Sequence, residues 1–184
     1  TLVAATMTEN HAGDDGGAIY KQDSEAIVIS NTQLISNTAI NRGGGLYNQT
    51  GNTVAISDSV FISNTAGAAG GAINNNIATM TIDHSVFANN TSLNADGGAV
   101  ANNGDGTLIV SISTFTGNAA PAPGRDGGAI YNGDDTTDTL IVDSSTFNGN
   151  RADEGGAVRS RDILILTNST FYNNAITNAS GGGG

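Results

Sequence analysis

The chain has 184 residues, of which 26 are glycine and 38% hydrophobic, with five Phe, four Tyr and no Trp, too few large apolar side chains for an ordinary globular core. Seventeen acidic residues against six basic ones give a formal net charge of −11, which repels phosphate backbones and anionic lipid and so excludes nucleic acid as a partner. The absence of cysteine excludes disulfide staples and thiolate metal sites, and no run approaches the ~18 apolar residues of a membrane span, so direct membrane insertion of this segment is not expected.

Read from its start, the chain is already inside a repeat. Leu2 and Met7-x-x-Asn10 lead to Gly16-Gly17-Ala18-Ile19, then to Ile27, Ile29 and Leu34-x-x-Asn37. The same order returns as Gly43-Gly44-Gly45-Leu46, Val54, Ile56 and Phe61-x-x-Asn64, and again as Gly70-Gly71-Ala72-Ile73, Met80, Ile82 and Phe87-x-x-Asn90. Next come Gly97-Gly98-Ala99-Val100, Leu108, Val110 and Phe115-x-x-Asn118, then Gly127-Gly128-Ala129-Ile130, Leu140, Val142 and Phe147-x-x-Asn150. Gly155-Gly156-Ala157-Val158, Leu164, Leu166 and Phe171-x-x-Asn174 form the sixth unit, and Gly181 to Gly184 open a seventh. Successive first glycines are 27, 27, 27, 30, 28 and 26 positions apart. Two unrelated motifs on one period are the signature of a solenoid.

Residues seven and five before each aromatic share one face of a strand, whereas the aromatic has the opposite parity, so a bend must separate them. Thr32, Ser59, Ser85, Ser113, Ser145 and Ser169 fall in that bend, where a short hydroxyl can bond released backbone groups. The repeated Asn reads as a residue tolerant of left-handed backbone that can form an amide ladder with the next coil. The expectation is an all-β fold, a single-stranded parallel β-helix of about six coils with three short strands each and a single domain over 1–184. Its structural residues are Phe61, Phe87, Phe115, Phe147 and Phe171 with Asn37, Asn64, Asn90, Asn118, Asn150 and Asn174. Neither end offers a polar cap, so the chain reads as part of a longer array whose strand edges can pair end to end into a filament.

Gly-Gly-Ala-Ile paired with Phe-x-x-Asn resembles the repeat of the chlamydial polymorphic outer-membrane proteins, whose passenger regions are autotransporter-type β-helices. The resemblance covers essentially the whole chain. It implies a right-handed helix and a secreted or surface-displayed module used in adhesion or envelope structure, with self-association or a host-cell or extracellular-matrix ligand as its partner. The chain departs from that family in lacking cysteine and a visible C-terminal barrel.

Candidate sites are few, and neither a catalytic residue nor a required cofactor is expected. Asp83-His84-Ser85 has the residue types of a nucleophilic triad, but neighbours on a strand point to opposite faces and form no relay. His84 reads as a surface or bend residue, and His11 as a turn residue without a partner. Asp96, Asp126 and Glu154 precede the glycine pairs of consecutive coils, so stacking forms a carboxylate column that must splay into water or hold a hard cation such as Ca²⁺. Two insertions, Ala119 to Asp126 and Gly133 to Asp138, mark loops where a partner would bind. Tyr20, Tyr47 and Tyr131 share one position, but Asn74, Ala101 and Arg159 interrupt it, which weakens a sugar-stacking stripe. Asn48, Asn90, Asn168 and Asn178 begin glycosylation-type triplets of the kind that chance supplies in so Asn- and Thr-rich a chain.

The leading functional expectation is a structural or adhesive module. Its rival is a polysaccharide-binding or polysaccharide-cleaving β-helix of the pectate lyase kind, which needs paired carboxylates or Ca²⁺ with a basic residue. Lys21, Arg42, Arg125, Arg151, Arg159 and Arg161 are the basic candidates, with Arg159 and Arg161 sharing a face but no acidic cluster fixed opposite them. Ice binding would require a regular outward Thr array, and the outward columns are mixed.

Overall fold

A computed structural model describes residues 1–23, 25–51, 53–133 and 137–177. The seventh glycine cluster at Gly181 to Gly184, Asp134 and Asp135 of the second insertion, and Asn178 lie outside them. The described residues form a parallel β-solenoid without helix, in four sheets of seven, seven, seven and six strands. The second coil is representative, with strands Leu46–Asn48, Val54–Ser57, Val60–Ile62 and Thr65–Ala66. Each pairs in parallel with the equivalent strand one coil before and one coil after.

The anticipated bend is real. Its residue, Asn31, Asp58, His84, Ile112, Ser144 or Asn168, has a positive φ of 45–50°. That single left-handed residue flips the parity, so Val54, Ile56 and Phe61 all point inward and are buried. The Ser column serves it as expected. Ser59 Oγ donates to the Ser57 carbonyl at 2.7 Å and accepts the Thr32 N–H at 3.1 Å, and the pattern recurs at Ser85, Ser113 and Ser145.

Three strands per coil were anticipated, and a fourth is present. Pairs such as Thr38–Ala39, Thr65–Ala66 and Arg151–Ala152 make a third sheet just after the ladder Asn. Ala39, Ala66, Ser92, Ala120 and Ala152 are its buried, small inward residues. A two-residue strand offers no alternation to read, so only this small-residue column betrays it. The left-handed residue at this corner is also displaced by one. It is Ser36, Ser63, Asn89, Gly117, Gly149 or Asn173, and the following Asn directs its amide inward.

The two glycines of each pair are required for different reasons. The first has φ between +58° and +72° in every described coil, a region costly for any residue with a Cβ. The second sits against the third sheet of the next coil. A Cβ on Gly98 would lie 2.6 Å from the Ala119 carbonyl carbon and closer still to the Gly128 oxygen. Neither backbone can retreat without breaking ladder bonds, so Gly98→Ala should cost about 1–3 kcal/mol of stability, read from the thermal midpoint. An unchanged midpoint would mean that the coils are not held this close.

The core is one continuous set of columns. Ile29, Ile56, Ile82, Val110 and Val142 form one, and Leu46, Ile73, Val100 and Ile130 another. Phe61, Phe87, Phe115, Phe147 and Phe171 stack in register with ring centroids 4.6–4.8 Å apart and ring planes within 5°. Strand spacing sets this centroid separation and keeps the rings near-parallel, at the short end of the range over which stacked aromatic pairs are found.

Candidate functional site

The most regular side-chain array is the Asn ladder behind the aromatic column. Asn90 Oδ1 accepts both the Asn64 backbone N–H at 2.9 Å and the Asn64 Nδ2 at 3.0 Å, while Asn90 Nδ2 donates to the Phe61 carbonyl at 2.9 Å and to Asn118 Oδ1 at 3.0 Å. The same bonds recur from Asn37 to Asn174. Asn37, Asn64, Asn90, Asn118 and Asn150 have no exposed surface. An amide has two donors and one twofold acceptor, and here all are used. No other short side chain meets that demand.

A second ladder went unread in the sequence. Asn48, Asn75, Asn102 and Asn132 stand two residues after the aliphatic of each glycine motif and link Nδ2 to Oδ1 at 2.8–3.0 Å, ending on Ser160 Oγ. Its signal was available as an Asn recurring at intervals of 27, 27 and 30. In the first coil Lys21 takes this place, buried and turned toward Asp23, and leaves Asn48 Oδ1 without a donor. Asn48 and Asn90, both buried in ladders, are closed to glycan attachment in the folded state.

The acidic column and the arginine pair prove to be one cluster. Asp126 and Glu154 pair through their backbones, and Asp96 Oδ1 accepts the Asp126 N–H at 2.8 Å. Arg161 Nη2 lies 3.3 Å from Asp126 Oδ2, Arg159 Nε lies 3.5 Å from it, and Arg159 Nη2 reaches Glu154 Oε2 at 3.1 Å. Contrary to the sequence expectation, acidic groups do stand opposite Arg159 and Arg161, namely Asp126 and Glu154. The Asp126 side chain is only 6% exposed, so its charge has lost hydration that the two guanidinium groups must offset. The Arg159–Glu154 pair, open to water, contributes little. Among the described residues, no group of three or more His, Cys, Asp or Glu is arranged to hold a metal ion.

Asp83, His84 and Ser85 do not form a relay. His84 Nδ1 pairs with Asp83 Oδ2 at 2.7 Å, which neighbours on a regular strand would not do; the left-handed backbone of His84 brings them together. Ser85 is buried on the other side with its hydroxyl on the Asp83 carbonyl. Ser111 Oγ donates to Asp83 Oδ1 at 2.6 Å, and this bond and that of His84 hold the Asp83 carboxyl below its ordinary range, while the carboxylate raises the imidazole. Hydrogen bonds from Thr167, Asn168 and Ser144 likewise lower Asp143. His84 therefore contributes stability that is present below its unfolded pKa and lost as pH rises through its raised value. Asp83 and Asp143 contribute above about pH 4 and lose it as pH falls through their lowered values. An NMR titration should place the His84 midpoint above about 6.5 and return it toward that value in Asp83→Asn. Equal midpoints in the two proteins would refute the pairing. His11, expected to be unpartnered in a turn, lies in strand His11–Ala12 with Nδ1 2.7 Å from Thr38 Oγ1.

The Tyr column is not a surface stripe. Tyr20 is open to solvent, but Tyr47 and Tyr131 are each only 1% exposed although they face outward from the fourth sheet. Turns preceding the glycine pairs fold over this face. Arg42 donates to Tyr47 Oη at 3.0 Å and lies 5.8 Å from its ring centroid, and Arg161 lies 5.8 Å from that of Tyr131. In the first insertion Gly124 N–H binds Asp153 Oδ2 at 2.6 Å, and in the second Asp138 is buried with Oδ1 on the Gly106 N–H at 2.7 Å.

Residues 4–22 and 112–133 match the family model described as the Chlamydia polymorphic membrane protein repeat. Each matched stretch runs from an x-x-Asn motif, at Met7 or Phe115, through the next glycine pair. The chain thus carries repeats of this type, wound as a parallel β-helix. No curated protein and no solved structure matches it.

Proposed function

Proceeding from a chain that carries polymorphic membrane protein-type repeats, we propose that it is a stiff spacer and display module of a bacterial surface protein, with an adhesive role toward a host-cell or matrix ligand. The observation that carries this reading is the amide ladder that runs without a break from Asn37 to Asn174 behind a stacked aromatic column, with a second ladder over the four central coils from Asn48 to Asn132. Every coil is bonded to its neighbours by side chains as well as backbone, so bending the rod breaks bonds on one side. The chain carries a net negative charge that resists aggregation.

Two measurements test it. Small-angle scattering on the purified chain should report an elongated particle, and beads coated with it should be retained on epithelial cells above beads coated with an unrelated β-solenoid. Equal retention of both coatings would defeat the adhesive role. Recovery of the native protein only from the cytosolic fraction of its cell would defeat surface placement.

A further inference from the structure

The buried Tyr column has a gap. Between Tyr47 and Tyr131 the outward positions of two successive coils are held by Asn74 and Ala101. Strand spacing separates the two tyrosines by three coil steps, about 14 Å, and a cleft of about 380 Å³ lies at this gap, lined by Asn74 next to the buried Ala101. Its lining combines Arg42 and Asp96, the amides of Asn74, Asn76 and Asn103, and Tyr131. Asn74 is 2% exposed, and its Nδ2 is buried without a hydrogen-bond partner. Elsewhere in this protein buried amides are bonded with great regularity, so a buried unused donor lining a cleft marks a place where an acceptor from outside completes the site.

We propose that this cleft binds a neutral saccharide of one or two sugar units. The volume falls in the range of small-molecule sites. One guanidinium and one carboxylate balance each other, so no net charge selects a charged ligand. The donors and acceptors are dense and mixed, matching hydroxyl groups that both give and accept. Ala68, Ala69 and Ala95 supply apolar wall for the C–H face of a pyranose ring, with the edge of the buried Tyr131 behind them. This inference stands apart from the surface-module reading, since it rests on the cleft alone.

The test is an NMR titration of the full chain with cellobiose, N,N′-diacetylchitobiose and digalacturonate. The two neutral disaccharides should shift the side-chain amide signals of Asn74, Asn76 and Asn103, and digalacturonate should not. Ala101→Tyr places in the gap the residue that the column already carries at Tyr20, Tyr47 and Tyr131, and should abolish the shifts with the thermal midpoint retained. Asn74→Ala should weaken binding roughly tenfold, and it decides the matter if Ala101→Tyr does not fold. The proposal is overturned if neither neutral sugar shifts these signals, if the shifts survive in both variants, or if digalacturonate shifts them equally. Failure of bead retention on cells would leave these outcomes untouched.

Discussion

Replacing Asn90 with leucine should lower the stability of the chain by about 3–6 kcal/mol, read as a fall in the urea midpoint. The side chain keeps its approximate volume but loses four hydrogen bonds. Asn64 is left with an unbonded backbone N–H and a free Nδ2 hydrogen, the Phe61 carbonyl loses the Asn90 amide donor, and Asn118 Oδ1 keeps only the backbone N–H of residue 90. Each buried group stranded in this way costs about 1–3 kcal/mol, against a total stability of about 5–15 kcal/mol for a typical domain. A loss under about 1 kcal/mol would show that the ladder is decoration on a backbone already sufficient by itself. Asn90→Asp separates shape from donation. One carboxylate oxygen would keep the two Asn64 donors, but the other would face the Phe61 carbonyl and Asn118 Oδ1, and with full burial this should raise the folded pKa above the unfolded value of about 3.9. This variant should be most stable below about pH 4 and lose stability as pH rises, the reverse of the behaviour predicted for Asp83 and Asp143.

The second large effect is expected at Phe115, whose ring lies 4.8 Å from both Phe87 and Phe147. Strands hold the neighbouring rings in place, so they cannot close over a vacancy, and Phe115→Ala should cost about 3–5 kcal/mol by calorimetry or urea titration. Phe115→Leu should cost less than about 1.5 kcal/mol, because Leu34 fills the equivalent position on Phe61 in the first coil. Similar losses in the two variants would mean that ring stacking, rather than filled volume, is what the column supplies.

The repeat, the inward columns, the bend and the first Asn ladder were all legible because each recurs on one period in residues of distinct chemistry. What escaped has physical reasons. The third sheet consists of two-residue strands, too short for alternation, and was visible only as small residues after the Asn. Outward burial at Tyr47 and Tyr131 depends on turns folding back over the fourth sheet, and the path of a turn leaves no periodic trace. The meeting of Asp126 with Arg159 and Arg161 is non-local, joining residues 33 and 35 positions apart on adjacent coils. Asp83 and His84 were excluded as partners by strand geometry, which does not hold at a residue with left-handed φ.

In each ladder a residue bonds mainly to its own counterpart one coil away, Asn to Asn and Phe on Phe. A whole coil can therefore be duplicated or deleted by recombination in the gene, and the two newly adjacent surfaces still match. Such an event changes the length of the rod by about one strand spacing, near 4.8 Å, without demanding any compensating substitution. Insertions between ladder positions, as at Pro121 and Pro123, leave this joint untouched. The protein's lineage can thus vary its reach by counting coils and its surface by varying turns, two kinds of inheritance that do not interfere.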